Sequence, residues 1–448
     1  MSLQGNLCYD ITANIRTVSG NILRKDKRMM SFLKKKVQKF RKIKEEIEEE
    51  DRENLETAET PEVLDGQQEK FWARLGMRRR SVRRHRLLVI GAVCLLSIAG
   101  MLFLYLHVGT TYSVLREEKR TDISGTVYAE LGDNLLKYSS DGVTCMADEE
   151  TVLWNSTFSM QSPMIDISGT TAVLADKKGT QVYVFDESGT LGQFQTSLPI
   201  EKVCVANQGV VAAVLSDGDV TWINFYDTQG NEIAKNRTSL GDSGYPLDIA
   251  LSPDGMKIMV SYLRVTQGIM NTKICFYDFD SVGQAEINNL VASETYENVV
   301  APETYFIDRE TSVAFLSNGF SLFQGKQVPE QKKKVEFDEE ILSVFHDGDY
   351  FGFIFRSDKE KHKYKAQLYN RTGKQIMKTY FDLDYKKVKF GGDDLILFNE
   401  KEFEIYNTGG RKKFSGSYDK AIEDIIRVSG FRKYMVLSRG YVSTIRLR

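Results

Sequence analysis

The most constraining feature of the chain is a motif that recurs seven times after residue 120. In each copy an aromatic residue ends a strand-like run, a few mostly polar residues follow, and a glycine completes the motif. The copies are Tyr138–Gly142, Phe185–Gly189, Tyr226–Gly230, Tyr369–Gly373 and Tyr406–Gly410, with looser ones at Tyr277–Gly283 and Phe323–Gly325. Successive terminal glycines are 47, 41, 53, 42, 48 and 37 residues apart. This period, with only strand signals between copies, predicts the blades of a β-propeller.

Each copy of the motif is predicted to be a hairpin, because Asp or Asn initiates a turn and Gly adopts a positive φ. One blade can be written out in full. Its predicted strands, from the inside outwards, are Met164–Ser168, Thr171–Asp176, Gln181–Asp186 and Thr190–Gln195. Ser252–Gly255 predicts a tight turn between the first and second strands of a later blade.

The C-terminal blade has three predicted strands and lacks a fourth. The three strands are Ile425–Ser429, Lys433–Ser438 and Tyr441–Leu447. Thr111–Arg116 is an unassigned strand candidate, and we expect it to supply the outer strand of this last blade and remove two exposed edges. The predicted fold is therefore an all-β propeller of about eight four-stranded blades, with seven as the alternative. Two stacked β-sandwiches or a β-helix fit the spacing less well.

An apolar segment precedes the repeats. Leu87–Val108 contains 22 residues and no Asp, Glu, Lys or Arg. A helix of that length crosses the hydrocarbon core of a bilayer. A cleaved signal peptide is the alternative, but it would begin near residue 1, whereas a largely polar stretch comes before this segment. Residues 87–108 are predicted to form a single transmembrane helix.

Six arginines border the apolar segment on its N-terminal side: Arg78, Arg79, Arg80, Arg83, Arg84 and Arg86. Such a cluster marks the cytoplasmic side of a membrane span. Residues 1–86 carry 21 Lys and Arg against 14 Asp and Glu, whereas residues 87–448 carry 39 against 48. This asymmetry favours two environments. We predict a cell-membrane protein with a cytoplasmic N-terminus, an extracytoplasmic domain over 109–448, the lipid bilayer as a partner, and no nucleic acid as a partner.

The cytoplasmic arm, residues 1–86, is too short to bury a sizeable core. A helix is predicted near residues 21–55, where apolar residues recur every three or four positions between runs of Lys and Glu. A linker is predicted near residues 56–75. The helix is consistent with an amphipathic helix on an anionic membrane, with a short coiled coil, or with a solvated arm that has no specific partner.

Few residues in the C-terminal domain suggest a catalytic, metal or cofactor site. Its two histidines are His346, in a predicted exposed turn, and His362. Asp347–Asp349 lacks the spacing of a calcium loop, and residues 392–394 are predicted to form a turn. No Gly-x-Ser-x-Gly sequence is present. We therefore predict no catalytic residues, no metal site and no cofactor, and hence a protein that is not an enzyme.

Other local features have simple structural interpretations. Cys145, Cys204 and Cys275 lie in strand-like runs and are predicted to be buried thiols. Trp154 is predicted to pack in the core. The lysine-rich stretches 331–334 and 359–365 are predicted to be solvated loops, with contact to anionic headgroups or wall polymers as the alternative. Three Asn-x-Thr sequences begin at Asn155, Asn236 and Asn370 and are glycosylation acceptors only in a eukaryotic host; the bacterial resemblance described next implies that these asparagines are turn residues instead.

The chain resembles an uncharacterised Firmicutes family of membrane-anchored proteins with a WD40-like propeller, classed as a domain of unknown function. The stretches that carry the resemblance are Asp133–Gly142, Val152–Asn155, Ser197–Ala206 and Gly244–Gly255. It covers roughly residues 80–448. The resemblance implies the fold and a membrane topology, and it implies no activity.

These observations together favour a non-enzymatic binding or scaffolding module of the cell envelope. Propellers present a rigid ring whose loops bind peptides, glycans or other proteins. The expected partner is a protein or a cell-wall ligand. One alternative is a transmembrane sensor that relays to the cytoplasmic arm. The other is an enzyme with a cofactor in the central funnel.

Overall fold

A computed structural model describes residues 38, 88–97, 99–100, 108–120, 122, 125–147, 151–218, 220–239 and 244–448. The chain divides into two compact units, residues 1–108 and 109–448. In the first unit, residues 88–97 and 99–100 are helical, as is Gln38. Within the described ranges, no helix combines the length and the apolar character needed to cross a membrane. The rest of the arm and the six arginines lie outside the described residues.

The second unit consists of eight antiparallel sheets of four strands each, which confirms the predicted eight blades. In seven of them the strand order in the sheet follows the chain. The first strand of the unit is β1 (Tyr112–Lys119). Blade 1 contains β2 (Val127–Leu131), β3 (Asn134–Ser139), β4 (Gly142–Met146) and β5 (Val152–Thr157). Blade 2 contains β6 (Pro163–Ser168), β7 (Thr171–Asp176), β8 (Gln181–Asp186) and β9 (Gly189–Gln195), as predicted.

The middle blades repeat this plan. Blade 3 contains β10 (Ile200–Val205), β11 (Val211–Asp217), β12 (Val220–Tyr226) and β13 (Glu232–Ser239). Blade 4 contains β14 (Tyr245–Leu251), β15 (Lys257–Thr266), β16 (Ile269–Asp278) and β17 (Leu290–Glu297). A short helix α1 (Ser281–Gln284) and a 3-10 turn (Ile287–Asn289) precede β17. Blade 5 contains β18 (Glu303–Phe306), β19 (Thr311–Leu316), β20 (Gly319–Gln324) and β21 (Glu330–Glu336).

The last blades complete the ring. Blade 6 contains β22 (Ile341–Asp347), β23 (Tyr350–Arg356), β24 (Tyr364–Asn370) and β25 (Gln375–Phe381). Blade 7 contains β26 (Lys387–Gly391), β27 (Asp394–Phe398), β28 (Glu402–Asn407) and β29 (Lys412–Ser417). Blade 8 contains β30 (Ile422–Arg427), β31 (Lys433–Ser438), β32 (Tyr441–Leu447) and, as its outer strand, β1.

The repeated motif owes its residue types to local hydrogen bonds. The Asp or Asn caps the turn: Asn370 Oδ1 accepts from the backbone N–H groups of Thr372 and Lys374. In blades 6 and 7 the tyrosine hydroxyl donates to a polar side chain two residues earlier, as Tyr406 does to Glu404 at 2.6 Å. Six copies lie between the third and fourth strands. The Tyr138 copy lies one hairpin earlier, between β3 and β4, so it is not equivalent to the others.

The core lies between neighbouring blades. The second and third strands are largely buried, and β7, β19 and β27 are buried at every residue. Blades 2 and 3 meet through aliphatic side chains, whereas blades 5 and 6 meet through many phenylalanines. Cys145, Cys204 and Cys275 are buried, as predicted. Trp154 is partly buried and stacks on Phe185, with ring centroids 5.3 Å apart.

The ring is closed by β1, which confirms the prediction for residues 111–116. β1 pairs antiparallel with β32 from Tyr112 opposite Leu447 to Lys119 opposite Tyr441. Just before it, Gly109 forms a parallel bridge with Phe414 of β29, with the Gly109 N–H donating to the Lys413 carbonyl at 2.9 Å. Apolar residues of blades 1 and 8 also pack together across this junction. The segment that enters the propeller therefore contacts blade 7 through Gly109 and blade 8 through β1.

Candidate functional site

The innermost strands of the blades wall an axial channel. Every residue of β6 is half-buried, whereas every residue of the adjoining β7 is buried. β10 and β22 likewise carry several half-buried residues in a row. The inner strands β6, β10, β14 and β18 contact one another in ring order, as do β22 and β26. Residues of these strands therefore have water on one side and the buried core on the other.

The channel has two walls of different charge. The inner strands of blades 1–6 contain six acidic residues and one lysine: Glu130, Asp166, Glu201, Asp248, Glu303, Asp347 and Lys202. The inner strands of blades 7 and 8 contain three basic and two acidic residues: Lys387, Lys389, Arg427, Glu423 and Asp424. Blades 1–6 form an acidic wall, and blades 7 and 8 form a mixed wall that is slightly basic.

β-Bulges aim several of these side chains at the neighbouring blade. In β10, β14, β22 and β30 the register shifts by one residue just before Lys202, Asp248, Ser343 and Asp424, respectively. A bulge bends its strand and redirects the side chain that follows. Each of these four side chains bonds to a group outside its own blade: Lys202 to Asp248, Asp248 to Thr304, Ser343 to Tyr385, and Asp424 to Lys389.

Two aspartates of the acidic wall bind backbone groups of the next blade. Asp166 Oδ2 accepts from the Val205 N–H at 2.8 Å. Asp248 Oδ2 accepts from the Thr304 N–H at 2.7 Å, and its Oδ1 pairs with Lys202 Nζ at 2.8 Å. These bonds satisfy inner-strand N–H groups and fix the carboxylates in place.

His346 lies in the channel wall, so its predicted position in an exposed turn was wrong. It occupies the inner strand β22, where its Nε2 lies 2.7 Å from Glu303 Oε1 of blade 5. Its ring stacks on Tyr305, with centroids 4.1 Å apart, and also on Phe315. The neighbouring blade therefore determines the position of His346. Asp347 ends the same strand, and only Gly348 and Asp349 form the turn.

Charged groups interact across the channel. Burial is the main cause that raises the pKa of Asp166 to about 6; the Val205 and Ile167 N–H groups lower it, Asp248 raises it and His346 lowers it. Blades 2 and 6, which contribute Asp166 and His346, lie four blades apart and so face each other. Burial and then Asp347 raise the pKa of Glu130 to about 7, whereas Lys389 and Arg427 lower it. Charged groups of different blades therefore influence the pKa values of these two carboxyl groups.

Beside the mixed wall, Asp394 is fully buried at the boundary of blades 7 and 8. Its Oδ2 accepts from the Tyr434 hydroxyl at 2.6 Å, and its carboxylate pairs with Lys413 and, at 3.4 Å, with Arg427. The prediction that residues 392–394 are a turn holds for Gly392 and Asp393 only. Asp394 is the first residue of β27 and joins two blades.

A cleft of about 460 Å³ lies where the inner strands of blades 1, 7 and 8 begin. Arg120 lies in the connection between β1 and β2 and pairs with Asp122 at 2.9 Å and with Glu423 at 2.5 Å. Burial would raise the pKa of Asp122, but Lys137, Tyr128 and Arg120 outweigh it and hold that pKa below its ordinary value. Lys387 Nζ donates to the Glu423 carbonyl at 2.9 Å. Charges of both signs line the cleft.

The other residues considered in the sequence analysis lie outside the channel wall. His362 is exposed and hydrogen-bonds Asp382. Gln331–Lys334 lies on the outer strand β21 and not in a loop, and Lys365 is buried in β24, where it pairs with Glu339. Residues 359–363 form a largely exposed loop, as predicted. The prediction of solvated loops is wrong in placing the exposed residues 331–334 in a loop and in placing Lys365 on the surface.

The asparagine predictions hold only in part, since Asn370 is a turn residue while Asn155 and Asn236 lie in β5 and β13. In the described part of the chain, no three His, Cys, Asp or Glu side chains are grouped to hold a metal ion.

One sequence signal could have identified the channel residues. An aspartate followed by isoleucine recurs in three inner strands, at Asp166, Asp248 and Asp424, and in the first two it interrupts a largely apolar run. An ionisable residue in a buried-strand pattern requires a partner. The partners come from neighbouring blades, which the local sequence does not reveal.

The eight four-stranded sheets in ring order define the class of the protein, an eight-bladed, WD40-like β-propeller. Residues 105–447 match the model of a family of unknown function, DUF5711, and the chain belongs to that family. No curated protein matches the chain by sequence.

Several solved structures are similar to the chain. Saccharomyces cerevisiae Sqt1 is 11% identical, with 76% of this chain and 99% of that chain covered and a TM-score of 0.49. BBS1N in complex with ARL6DN is 9% identical, with 76% and 98% covered and a TM-score of 0.40. The Neurospora crassa Pan2 WD40 domain is 11% identical, with 63% and 87% covered and a TM-score of 0.38. Identities this low carry no information about a ligand.

Proposed function

We propose that the propeller is a non-enzymatic binding or scaffolding module and that its axial channel is the binding site. The observation that carries this proposal is the half-exposed ring of inner-strand charges, with an acidic wall on blades 1–6 and a mixed wall on blades 7 and 8. Such a channel presents a ligand with an acidic side and a mixed, slightly basic side.

The fixed geometry of these groups supports a binding role. Asp248 is held by Lys202 and by the backbone and hydroxyl of Thr304, and His346 is held between Glu303 and Tyr305. Side chains already held in place by neighbours lose little conformational entropy when a ligand binds. These groups can therefore recognise charge in a ligand without rearrangement.

We further propose that the protein is held in the cell membrane by residues 87–108 and faces outward with its propeller. The uncharged composition of that segment and the six arginines before it support this topology. Protease added to intact cells tests it. We expect the C-terminal propeller to be degraded and the N-terminal arm to survive. Protection of the propeller would contradict the proposed orientation.

Proximity labelling from a tag at the C-terminus, in the native host, tests the binding role. Glu130→Gln and Asp347→Asn remove charge from the acidic wall, and both residues lie at the ends of inner strands. The matched control is Glu294→Gln, on the outer strand of blade 4. We expect the channel variants to lose specific labelled proteins or wall fragments that the control retains. The same labelled set in all three would count against the channel.

Elemental analysis and an absorbance scan of the purified full chain address the enzymatic alternative. A stoichiometric metal or a chromophoric cofactor would overturn the proposal of a non-enzymatic module.

A further inference from the structure

The middle hairpin of blade 4 is longer than its counterparts. β15 and β16 have 10 residues each, whereas the second and third strands of the other seven blades have five to seven. At about 3.4 Å per residue, the extra residues extend this hairpin roughly 10 Å beyond the length of its equivalents. We refer to its end, residues 264–270, as the finger.

The finger is a two-stranded ribbon. The last pair between β14 and β15 is Tyr245 with Leu263, and the last between β16 and β17 is Asn271 with Glu297. Beyond these pairs, β15 and β16 continue to pair only with each other, up to Thr266 opposite Ile269. Among the described strands, none flanks the finger on either side. A two-stranded ribbon in water gains little stability from its own contacts.

The finger presents apolar side chains on both of its faces. Val265 is 62% exposed and lies opposite Met270, which is 50% exposed, so the two share one face. Ile269 is 51% exposed and belongs to the next cross-strand pair, so it lies on the other face. Packing within the propeller does not explain three large apolar residues at the end of a projecting ribbon. Grouped exposure of this kind marks an interaction site.

The end of the finger is polar and sharply defined. Gln267 and Gly268 link the strands with φ values of 53° and 82°. Two consecutive positive φ values are typical of a type I′ turn, which matches the twist of the flanking strands. Gln267 and Gly268 are exposed, so the end of the finger is polar.

We propose that the finger docks into an apolar groove of a partner protein, with polar groups at the end of the groove that meet Gln267. Two features of the finger favour this occupant over others. A flat surface would cover only one of the two apolar faces. A lipid interior would leave the turn backbone and the Gln267 amide without hydrogen bonds, at a cost of several kcal/mol per group. Contact with a second copy of the chain is distinguished by the test below.

This proposal is independent of the channel as a binding site. The finger belongs to the second and third strands of blade 4, whereas the channel is lined by first strands. A partner held by the finger would leave the channel free for a ligand.

The test starts from a photo-activated cross-linker placed at Ile269 in the full chain and expressed in the native host. The cross-linked protein is identified, purified and titrated against the full chain. We expect the double variant Val265→Ser, Met270→Ser to bind it at least tenfold more weakly, because both buried apolar contacts are lost. Gln267→Ala should weaken binding severalfold. The matched control is Val152→Ser, Leu153→Ser on the outer strand β5, where both side chains are also exposed; it should bind like the unaltered chain.

Three outcomes would overturn the proposal. The first is equal affinity of the finger variant and the control variant for the cross-linked protein. The second is binding of the full chain to vesicles of phosphatidylglycerol and phosphatidylethanolamine that the finger variant loses. The third is a concentration-dependent dimer of the full chain that the finger variant abolishes. Melting temperatures of all variants verify that each is folded.

Discussion

Blades 8 and 4 lie on opposite sides of the ring, and each departs from the regular blade in its own way. Blade 8 takes its outer strand from the start of the propeller, so that residues more than 300 positions apart pair. Blade 4 keeps its strands in chain order but lengthens its middle hairpin. The departure in blade 8 covers strand edges, whereas the departure in blade 4 leaves edges and apolar side chains exposed.

The closing strand of blade 8 contributes to stability, whereas the long hairpin of blade 4 is suited to recognition. An irregularity that pairs hydrogen-bonding groups serves the fold. An irregularity that exposes a projecting apolar ribbon serves an interaction outside the fold. Changes in blade 8 should therefore alter the free energy of unfolding, and changes in the finger of blade 4 should alter binding only.

The largest effect is expected from the closing strand. Replacing Tyr112–Lys119 by an eight-residue Gly/Ser linker removes the side chains of the closing strand and raises the entropic cost of an extended backbone, so we expect the seven cross-strand pairs with β32 to be lost. At roughly 1 kcal/mol net for each backbone hydrogen bond, the loss is on the order of 5 kcal/mol. Chemical denaturation of the full chain measures it. The matched control replaces Val265–Met270 by Asn-Gly, which closes on the Arg264–Asn271 pair. A closing-strand variant as stable as the control would remove the distinction between the two blades.

The next effect is expected at the boundary of blades 7 and 8. Asp394→Asn keeps the shape of the side chain but removes the charge that pairs with Lys413 and Arg427. We expect a loss of about 2–3 kcal/mol in the free energy of unfolding, because the buried hydrogen bonds to charged groups are weakened. Asp393→Asn is the control, since Asp393 is exposed in the adjacent turn. Equal denaturation midpoints for the two variants would contradict a structural role for Asp394.

A smaller, pH-dependent effect is expected in the acidic wall, away from the closing blade. The folded-state pKa of Asp166 lies near 6, above the ordinary aspartate value, so the folded protein binds this proton more tightly than the unfolded chain does. Ionised Asp166 therefore lowers stability above pH about 6, and this penalty disappears below pH about 4. Asp166→Asn should be more stable than the unaltered chain at pH 8, by about 1 kcal/mol after screening by channel water, and equally stable at pH 4.

Melting curves at both pH values test the sign of this effect. Asp217→Asn, at the exposed end of β11, is the matched control. A stabilisation by Asp166→Asn that is largest at low pH would show that the sign is wrong.

The smallest effect on stability is expected from the finger. Val265→Ser with Met270→Ser changes only exposed side chains, so the free energy of unfolding should change by less than about 0.5 kcal/mol per residue. Thermal melts of the double variant and the unaltered chain measure this. A loss of several kcal/mol would mean that the ribbon supports the fold, contrary to the comparison with blade 8.

The repeat in the sequence was sufficient to predict the blades because its signals are local. An Asx turn and a tyrosine that bonds two residues back require no knowledge of the rest of the ring, as Asn370 and Tyr406 show. The same locality caused one error. The Tyr138 copy has the right residues for a hairpin, but a hairpin signal does not say which two strands of the blade it joins.

The channel could not be predicted in the same way, because its side chains are positioned by neighbouring blades. His346 is followed by Asp-Gly-Asp, which favours a turn, yet Tyr305 and Glu303 of blade 5 hold it in the wall. Asp394 likewise has a turn-like sequence around it, while its partners Arg427 and Tyr434 lie in the next blade. Contacts between blades depend on the closed ring, which the local sequence does not encode.

Hydrogen exchange of the purified full chain tests the contrast between blades 8 and 4 most directly. The amides of Tyr112–Lys119 pair with β32 within a closed ring, so we expect them to exchange as slowly as those of Tyr441–Leu447, through global unfolding. The amides of residues 264–270 should exchange orders of magnitude faster, since that ribbon opens locally. Fast exchange in 112–119, or protection of 264–270 in the isolated chain, would contradict the account.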